Sequence, residues 1–103
     1  MDITVRKEGN DAFHIRIAGS IDTGNAEQLR TELDKIAANK PMKVVMDMSL
    51  VPTIDSSGMG KILIFYKKLD SMKSKFEIKG IQDNLYNVFK AVKLDKLFPI
   101  SQK

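Results

Sequence analysis

Short runs with strand periodicity alternate along this chain with longer runs of helical periodicity, and this alternation constrains the fold more than any other feature. The predicted elements are strands at 3–6 and 13–17, a helix at 24–39, a strand at 43–48, a helix at 57–71, a strand at 76–80, a helix at 82–93 and a short edge strand at 97–100. Two alternating runs around the Gly9-Asn10 turn predict an N-terminal β-hairpin. Strands that alternate with helices are joined by parallel crossovers. The sequence therefore predicts an α/β fold with a mixed sheet of four or five strands, helices packed against it, and the order ββαβαβα with or without a last β.

The strand predicted at 43–48 is a short apolar run rich in valine, which is typical of a central strand buried on both faces. Each predicted helix carries one apolar stripe at three- and four-residue steps. The stripes contain Ala26, Leu29, Leu33, Ile36 and Ala37, then Met59, Ile62, Leu63, Tyr66 and Leu69, then Leu85, Val88, Phe89 and Val92. Asp22 or Thr23 is the predicted N-cap of the first helix, because a short side-chain oxygen can accept an unpaired backbone N–H there.

Length and composition exclude several classes of protein. A chain of 103 residues predicts a single domain over 1–103. It has no cysteine, which excludes disulfides, cysteine catalysis and thiolate metal sites. Its one histidine, His14, is predicted on the polar face of a strand, so we expect neither a metal nor a cofactor. No apolar run has the length of a membrane span or the character of a signal peptide, and we expect a cytoplasmic protein without membrane contact.

Positive charge is concentrated in the second half of the chain. The net charge is +4, and residues 61–103 contain ten lysines against four acidic residues. A lysine-rich half can indicate an anionic partner, but lysines on exposed helix faces explain it without one. This half has no arginine, the side chain that best recognises phosphates and bases, so direct nucleic-acid binding is the least favoured function.

The segment Asp-Ser-Ser-Gly-Met-Gly-Lys at 55–61 is the richest in chemically useful residues, and it opens the second predicted long helix. It is not a phosphate-binding P-loop, because Asp55 stands where that motif needs glycine and Ile62 where it needs serine or threonine. It also lacks the Gly-x-Ser-x-Gly pattern of serine hydrolases, and His14 is the only imidazole that could serve as a base.

Local physics leaves two interpretations of this segment open. A serine or aspartate before an apolar-periodic helix is what capping preferences alone produce. A serine at a helix N-terminus is also a suitable phosphorylation site, because unpaired N–H groups and the positive helix end accommodate the phosphate. Gly58 and Gly60 each cost about 0.5–1 kcal/mol relative to alanine inside a helix, which indicates close packing or close approach by another molecule.

Two segments together resemble the bacterial anti-sigma factor antagonists, the STAS domains. They are Gly19–Asp22 after the second strand and Ile54–Gly60 at the start of a helix. The stretch 89–98 is similar to the family's third-helix ending, and the resemblance covers residues 3 to about 100 in element order. It implies a non-enzymatic protein that binds an anti-sigma factor, itself a serine kinase of the histidine-kinase-like ATPase fold. Phosphorylation of the antagonist then releases the partner, and a serine phosphatase removes the phosphate.

The resemblance also implies roles for individual residues. Ser56, directly after the motif's aspartate, corresponds to the phosphoacceptor, and Ser57 is the second choice. The residues expected at the partner surface are Asp22, Thr23, Asp55, Ser57, Gly58, Met59 and Lys61. Lys61, Lys67 and Lys68 make this helix basic, which suits an acidic facing surface, and we expect a monomer when the protein is free. The alternative is a constitutive STAS-type scaffold or adaptor in which the serine only caps its helix.

Overall fold

The computed structural model describes residues 1–9 and 11–103, so the Asn10 position of the predicted hairpin turn lies outside the described residues. The elements are β1 (Asp2–Glu8), β2 (Ala12–Ala18), α1 (Ala26–Ala38), β3 (Lys43–Leu50), α2 (Ser56–Ser71), β4 (Lys75–Ile81), α3 (Asp83–Ala91), a 3₁₀ turn (Leu94–Lys96) and β5 (Ile100–Gln102). The sheet order is β1-β2-β3-β4-β5, with β1 antiparallel to β2 and the other neighbours parallel. The predicted mixed α/β sheet with an N-terminal hairpin is confirmed.

All three helices cover the same face of the sheet. Each connects a strand to its next neighbour in the same direction, and right-handed crossovers then place the helices on one side. Side chains of β2, β3 and β4 on that face form one buried cluster with the inner faces of the helices. Its center includes Phe65 of α2, whose ring meets that of Phe76 edge-on at a centroid distance of 5.6 Å. The other sheet face is lined by polar and charged side chains.

The predicted N-cap of α1 is wrong. The helix begins at Ala26, after Asn25. Asp22 and Asn25 form a turn instead. The Asp22 carboxylate accepts the Asn25 N–H at 3.2 Å, and the Asn25 side-chain carbonyl accepts the Asp22 N–H at 2.9 Å. The Thr23 hydroxyl is donated to the carboxylate of Asp55, which is a stronger acceptor.

Two predictions near the C-terminus also need correction. Val88 and Val92 were predicted on the buried face of α3, but they are 40% and 53% exposed, and only Leu85 and Phe89 of that stripe are buried. The last strand begins at Ile100 rather than at 97, because Leu97 and Phe98 donate their N–H groups to the Leu94 carbonyl of the 3₁₀ turn. Pro99 has no N–H to donate and contributes only its carbonyl, which accepts from Ile78.

Candidate functional site

The loops that follow β2 and β3 lie side by side at one edge of the sheet. The Gly19 N–H donates to the Leu50 carbonyl at 2.9 Å, and the Ile21 N–H donates to the Thr53 carbonyl at 3.0 Å. The Asp55 N–H donates back to the Ile21 carbonyl at 3.1 Å, which makes an isolated parallel bridge between Ile21 and Ile54. Pairing between the two strands thus continues past their ends. It brings the segment at 22–23 against the start of α2.

Asp55 joins these two loops through its carboxylate. One oxygen accepts the Gly58 N–H at 3.0 Å and caps α2. The other accepts both the N–H and the hydroxyl of Thr23, at 2.9 and 3.1 Å. The hydrogen bond from the Gly58 N–H, followed by those from Thr23, holds the pKa of the Asp55 carboxyl below its usual range. Asp55 is therefore ionised at neutral pH and fixed in position.

The two adjacent serines have different surroundings. The Ser57 hydroxyl is half-buried and lies 3.2 Å from the Thr23 hydroxyl, within hydrogen-bond distance. The Ser56 side chain is exposed at the first residue of α2, and within 1–9 and 11–103 it has no hydrogen-bond partner. Of the two hydroxyls, Ser56 is the one presented to solvent without a competing interaction.

The two glycines of the segment serve different purposes. Gly58 is buried, and a Cβ there would lie 2.5 Å from Ile21 Cγ2 and 2.9 Å from Ile54 Cγ1, so this position requires glycine for close packing. A Cβ at Gly60 would meet nothing within 4 Å. Close packing therefore explains Gly58 but not Gly60, which leaves space on the surface.

That space belongs to a shallow apolar groove between α2 and the end of α3. Its volume is about 190 Å³, and it is lined by Ser56, Met59, Gly60, Leu63, Val92 and Leu94. The sequence predicted Met59 and Ser56 at a functional surface and singled out Gly60 for its cost inside a helix, but it assigned Leu63 and Val92 to the apolar stripes of their helices. The available signal for Val92 was its position at the end of α3, where it continues the apolar stripe beyond the helix.

Two further residues predicted at the partner surface, Asp22 and Lys61, lie in different surroundings. Asp22 is exposed at the tip of the β2–α1 loop, close to Asp55 in the paired loops. Lys61 is only 24% exposed, because its ammonium group is bound at 3.1 Å by the Glu27 carboxylate of α1. The structure thus brings Asp22, Thr23, Asp55 and Ser57 together, while Lys61 is directed toward α1.

The part of the chain that the structure describes contains neither a metal-binding cluster of side chains nor a helix suited to span a membrane. Within residues 1–9 and 11–103, no three potential side-chain ligands among His, Asp and Glu are grouped to hold a metal ion. In that same part of the chain, every helix is too short or too polar to cross a bilayer.

Comparison with known proteins places the chain in a family. The STAS domain profile matches residues 3–103. The anti-sigma-B factor antagonist of Listeria monocytogenes is 24% identical over 100 residues, which are 97% of this chain and 88% of that protein. An anti-sigma factor antagonist from Mycobacterium paratuberculosis superposes with a TM-score of 0.88 at 22% identity, covering 99% of this chain and 86% of that one. The phosphorylated form of the Bacillus cell fate determinant SpoIIAA gives a TM-score of 0.77 at 16% identity, covering 99% and 93%. Because the STAS domain profile matches nearly the whole chain, the chain belongs to the STAS domain family.

Proposed function

We propose that this protein is an anti-sigma factor antagonist controlled by phosphorylation of Ser56. In its unphosphorylated form it binds an anti-sigma factor that is also a serine kinase of the histidine-kinase-like ATPase fold, and phosphorylation releases it. A serine phosphatase restores the binding form. The observation that carries the proposal is the exposed, unpaired Ser56 hydroxyl at the rim of an apolar groove. The name of the Listeria relative supports the same assignment.

The geometry explains how a phosphate could act without unfolding the domain. Asp55, not Ser56, caps α2, so a modified Ser56 leaves the cap in place. A phosphate adds about −1.5 to −2 charges at neutral pH. Here it would stand beside the ionised Asp55 and at the edge of the groove. A partner that places an apolar side chain against this surface would then have to remove water from the charged phosphate, which costs free energy. A partner that places a carboxylate there would be repelled.

The same observations favour a binding protein over an enzyme. The one imidazole of the chain, His14, lies on the sheet face that the helices leave uncovered, and the neighbouring Asp55 carboxylate is already occupied by hydrogen bonds from Gly58 and Thr23. They also weigh against a scaffold in which Ser56 is only a helix cap, because Asp55 supplies that cap. A cytoplasmic location and a monomeric free state stay predictions.

The first test combines capture with phosphosite mapping. Wild-type protein and the variants Ser56→Ala and Ser56→Asp are used as baits in extract from the source cells, with and without ATP. Without ATP we expect wild type and Ser56→Ala to retain an ATPase-fold kinase and Ser56→Asp to lose it, and with ATP we expect the wild type to be released as well. Mass spectrometry should find phosphate on Ser56 of the wild type only. Equal capture by all three baits would instead establish the constitutive scaffold, and phosphate on Ser57 of the wild type would move the acceptor.

A second test examines the groove directly. Gly60→Leu fills space that is open in the free protein, and Ala38→Leu is the matched control at an exposed position of α1. We expect Gly60→Leu to weaken binding of the captured kinase at least about tenfold. A side chain that does not fit at the packed center of an interface costs more binding free energy than one at its rim. Ala38→Leu should bind as wild type does. Equal affinity of both variants would show that the partner does not use the groove.

A further inference from the structure

The sheet face opposite the helices contains a concave, charged surface that the proposed partner binding does not use. A cavity of about 330 Å³ is lined there by Thr4, Arg6, His14, Arg16, Asp47 and Lys79. The strand register explains why they meet. Thr4, Arg16, Asp47 and Lys79 lie directly opposite one another across β1, β2, β3 and β4, and Arg6 lies opposite His14 in the next row. Four strands thus direct polar side chains into one hollow.

The cations of this hollow retain unused hydrogen-bonding capacity. Arg16 approaches the Asp47 carboxylate only to 3.6 Å, and Arg6 directs one nitrogen to Glu8 at 2.5 Å. A guanidinium has five N–H donors, so most of those on both arginines stay available. Lys79 has no carboxylate within ion-pair distance in the described part of the chain. Both arginines are more than half exposed and can turn toward a ligand.

The one carboxylate that lines the hollow is already engaged. An Asp47 oxygen accepts the Ser49 N–H at 2.9 Å, and the other faces Arg16. Although partial burial raises the pKa of Asp47, the hydrogen bonds from Ser49 and the charges of Arg16 and Lys79 lower it overall. Glu8, beside the hollow, pairs with Arg6 and lies 3.9 Å from His14 Nε2. Three cationic side chains therefore face two ionised carboxylates, Asp47 and Glu8, and the excess is one positive charge.

We propose that this hollow binds a small, multiply charged oxyanion that carries phosphate or carboxylate groups. Arginine recognises both groups through paired N–H donors, and lysine and threonine add single donors. The volume lies at the lower end of the range for small-molecule sites, which suits a compact anion rather than a protein segment. Because the helices lie on the other face, occupancy would leave Ser56 accessible.

The test is a titration of ¹⁵N-labelled protein followed by NMR, with inorganic pyrophosphate and citrate as separate probes and sodium chloride of equal ionic strength as reference. We expect saturable shifts at the amides of the six lining residues. The probe that binds more tightly shows whether phosphate or carboxylate is preferred. Arg16→Gln and Lys79→Gln should each weaken binding by about tenfold or more, the effect of losing one hydrogen bond to a charged group.

The control is Lys67→Gln, which removes the same charge from an exposed position on α2. It should bind each probe as tightly as wild type. Shifts that never saturate, shifts centred on the start of α2, or equal weakening by Lys67→Gln would overturn the proposal. Any of these results would mean that the anions screen surface charge without occupying a site.

Discussion

Asp55 shows how much one side chain can organise at the scale of single residues. Its two oxygens satisfy a helix N-terminus and hold a neighbouring loop, while the next residue is left free at the surface. The sequence could predict a capping residue here, because side-chain type and position suffice for that. It could not predict that Thr23, 32 positions earlier, provides the second set of donors, because that contact depends on how the strands pair.

A pair of glycine substitutions separates packing from open space. Gly58→Ala places a Cβ against Ile21 and Ile54, and overpacking of this kind costs typically about 1–3 kcal/mol of unfolding free energy. Gly60→Ala meets no atom and should stabilise the helix by about 0.5–1 kcal/mol. Urea denaturation of both variants measures the difference. Similar midpoints for the two variants would show that Ile21 and Ile54 can move aside.

The hydroxyl of Thr23 can be tested by Thr23→Val, which keeps the shape of the side chain but removes its hydrogen bonds to Asp55 and Ser57. We expect a loss of about 1 kcal/mol of unfolding free energy in urea denaturation, typical of a modest net hydrogen-bond contribution. In a Ser56→Ala background the freed Ser57 hydroxyl should accept more phosphate from the kinase. No change in either measurement would show that the Thr23 hydroxyl does not restrain Ser57.

At the scale of elements, α2 is held against the sheet by its buried aromatic face. Phe65→Ala removes the ring that packs on Phe76 and should cost about 3–5 kcal/mol of unfolding free energy. The neighbouring Ile64 is 46% exposed, so Ile64→Ala should change that free energy by less than about 0.5 kcal/mol. Thermal or urea unfolding compares the two. A comparable loss in both would mean that the contact between Phe65 and Phe76 is not what anchors α2, because alanine is the better helix former at either position.

The elements themselves were predictable because hydrophobic periodicity records which face each one buries. Phe65 was nevertheless absent from the predicted stripe of α2, since the chosen face was centered about a quarter turn away. Val88 and Val92 show the opposite error, because helical spacing cannot tell a buried apolar stripe from one that extends onto an exposed groove. The position of β5 depended on a 3₁₀ turn, for which three residues carry no periodic signal.

At the scale of the whole molecule, acid should destabilise the fold. The carboxyl pKa is lowered at Glu8, Glu27, Asp34, Asp47 and Asp55. Hydrogen bonds from Arg6, Arg30 and Lys68 are the largest influence on the first three. A carboxyl with a lowered folded-state pKa contributes stability that is present above its unfolded pKa and lost as pH falls through the folded one.

Carboxyls in the unfolded chain titrate near pH 4. The contribution of these five groups to the free energy of unfolding should therefore be nearly constant from about pH 7 to 5, and it should fall below about pH 5. Urea midpoints measured between pH 7 and 3 test this. The fall should be smaller at high salt for the exposed pairs, whose attraction is then already screened. A midpoint independent of pH over this range would show that these carboxyls are equally stabilised in the unfolded chain.

The preformed cap on α2 also has a consequence for timing. Because Asp55 closes the first turn of α2, the phosphorylation that we propose at Ser56 would leave no segment to refold when the phosphate arrives or leaves. In a regulatory circuit built on this protein, the delay between signal and response would then come from enzyme turnover and partner dissociation. Slow conformational relaxation of this protein would add nothing to it.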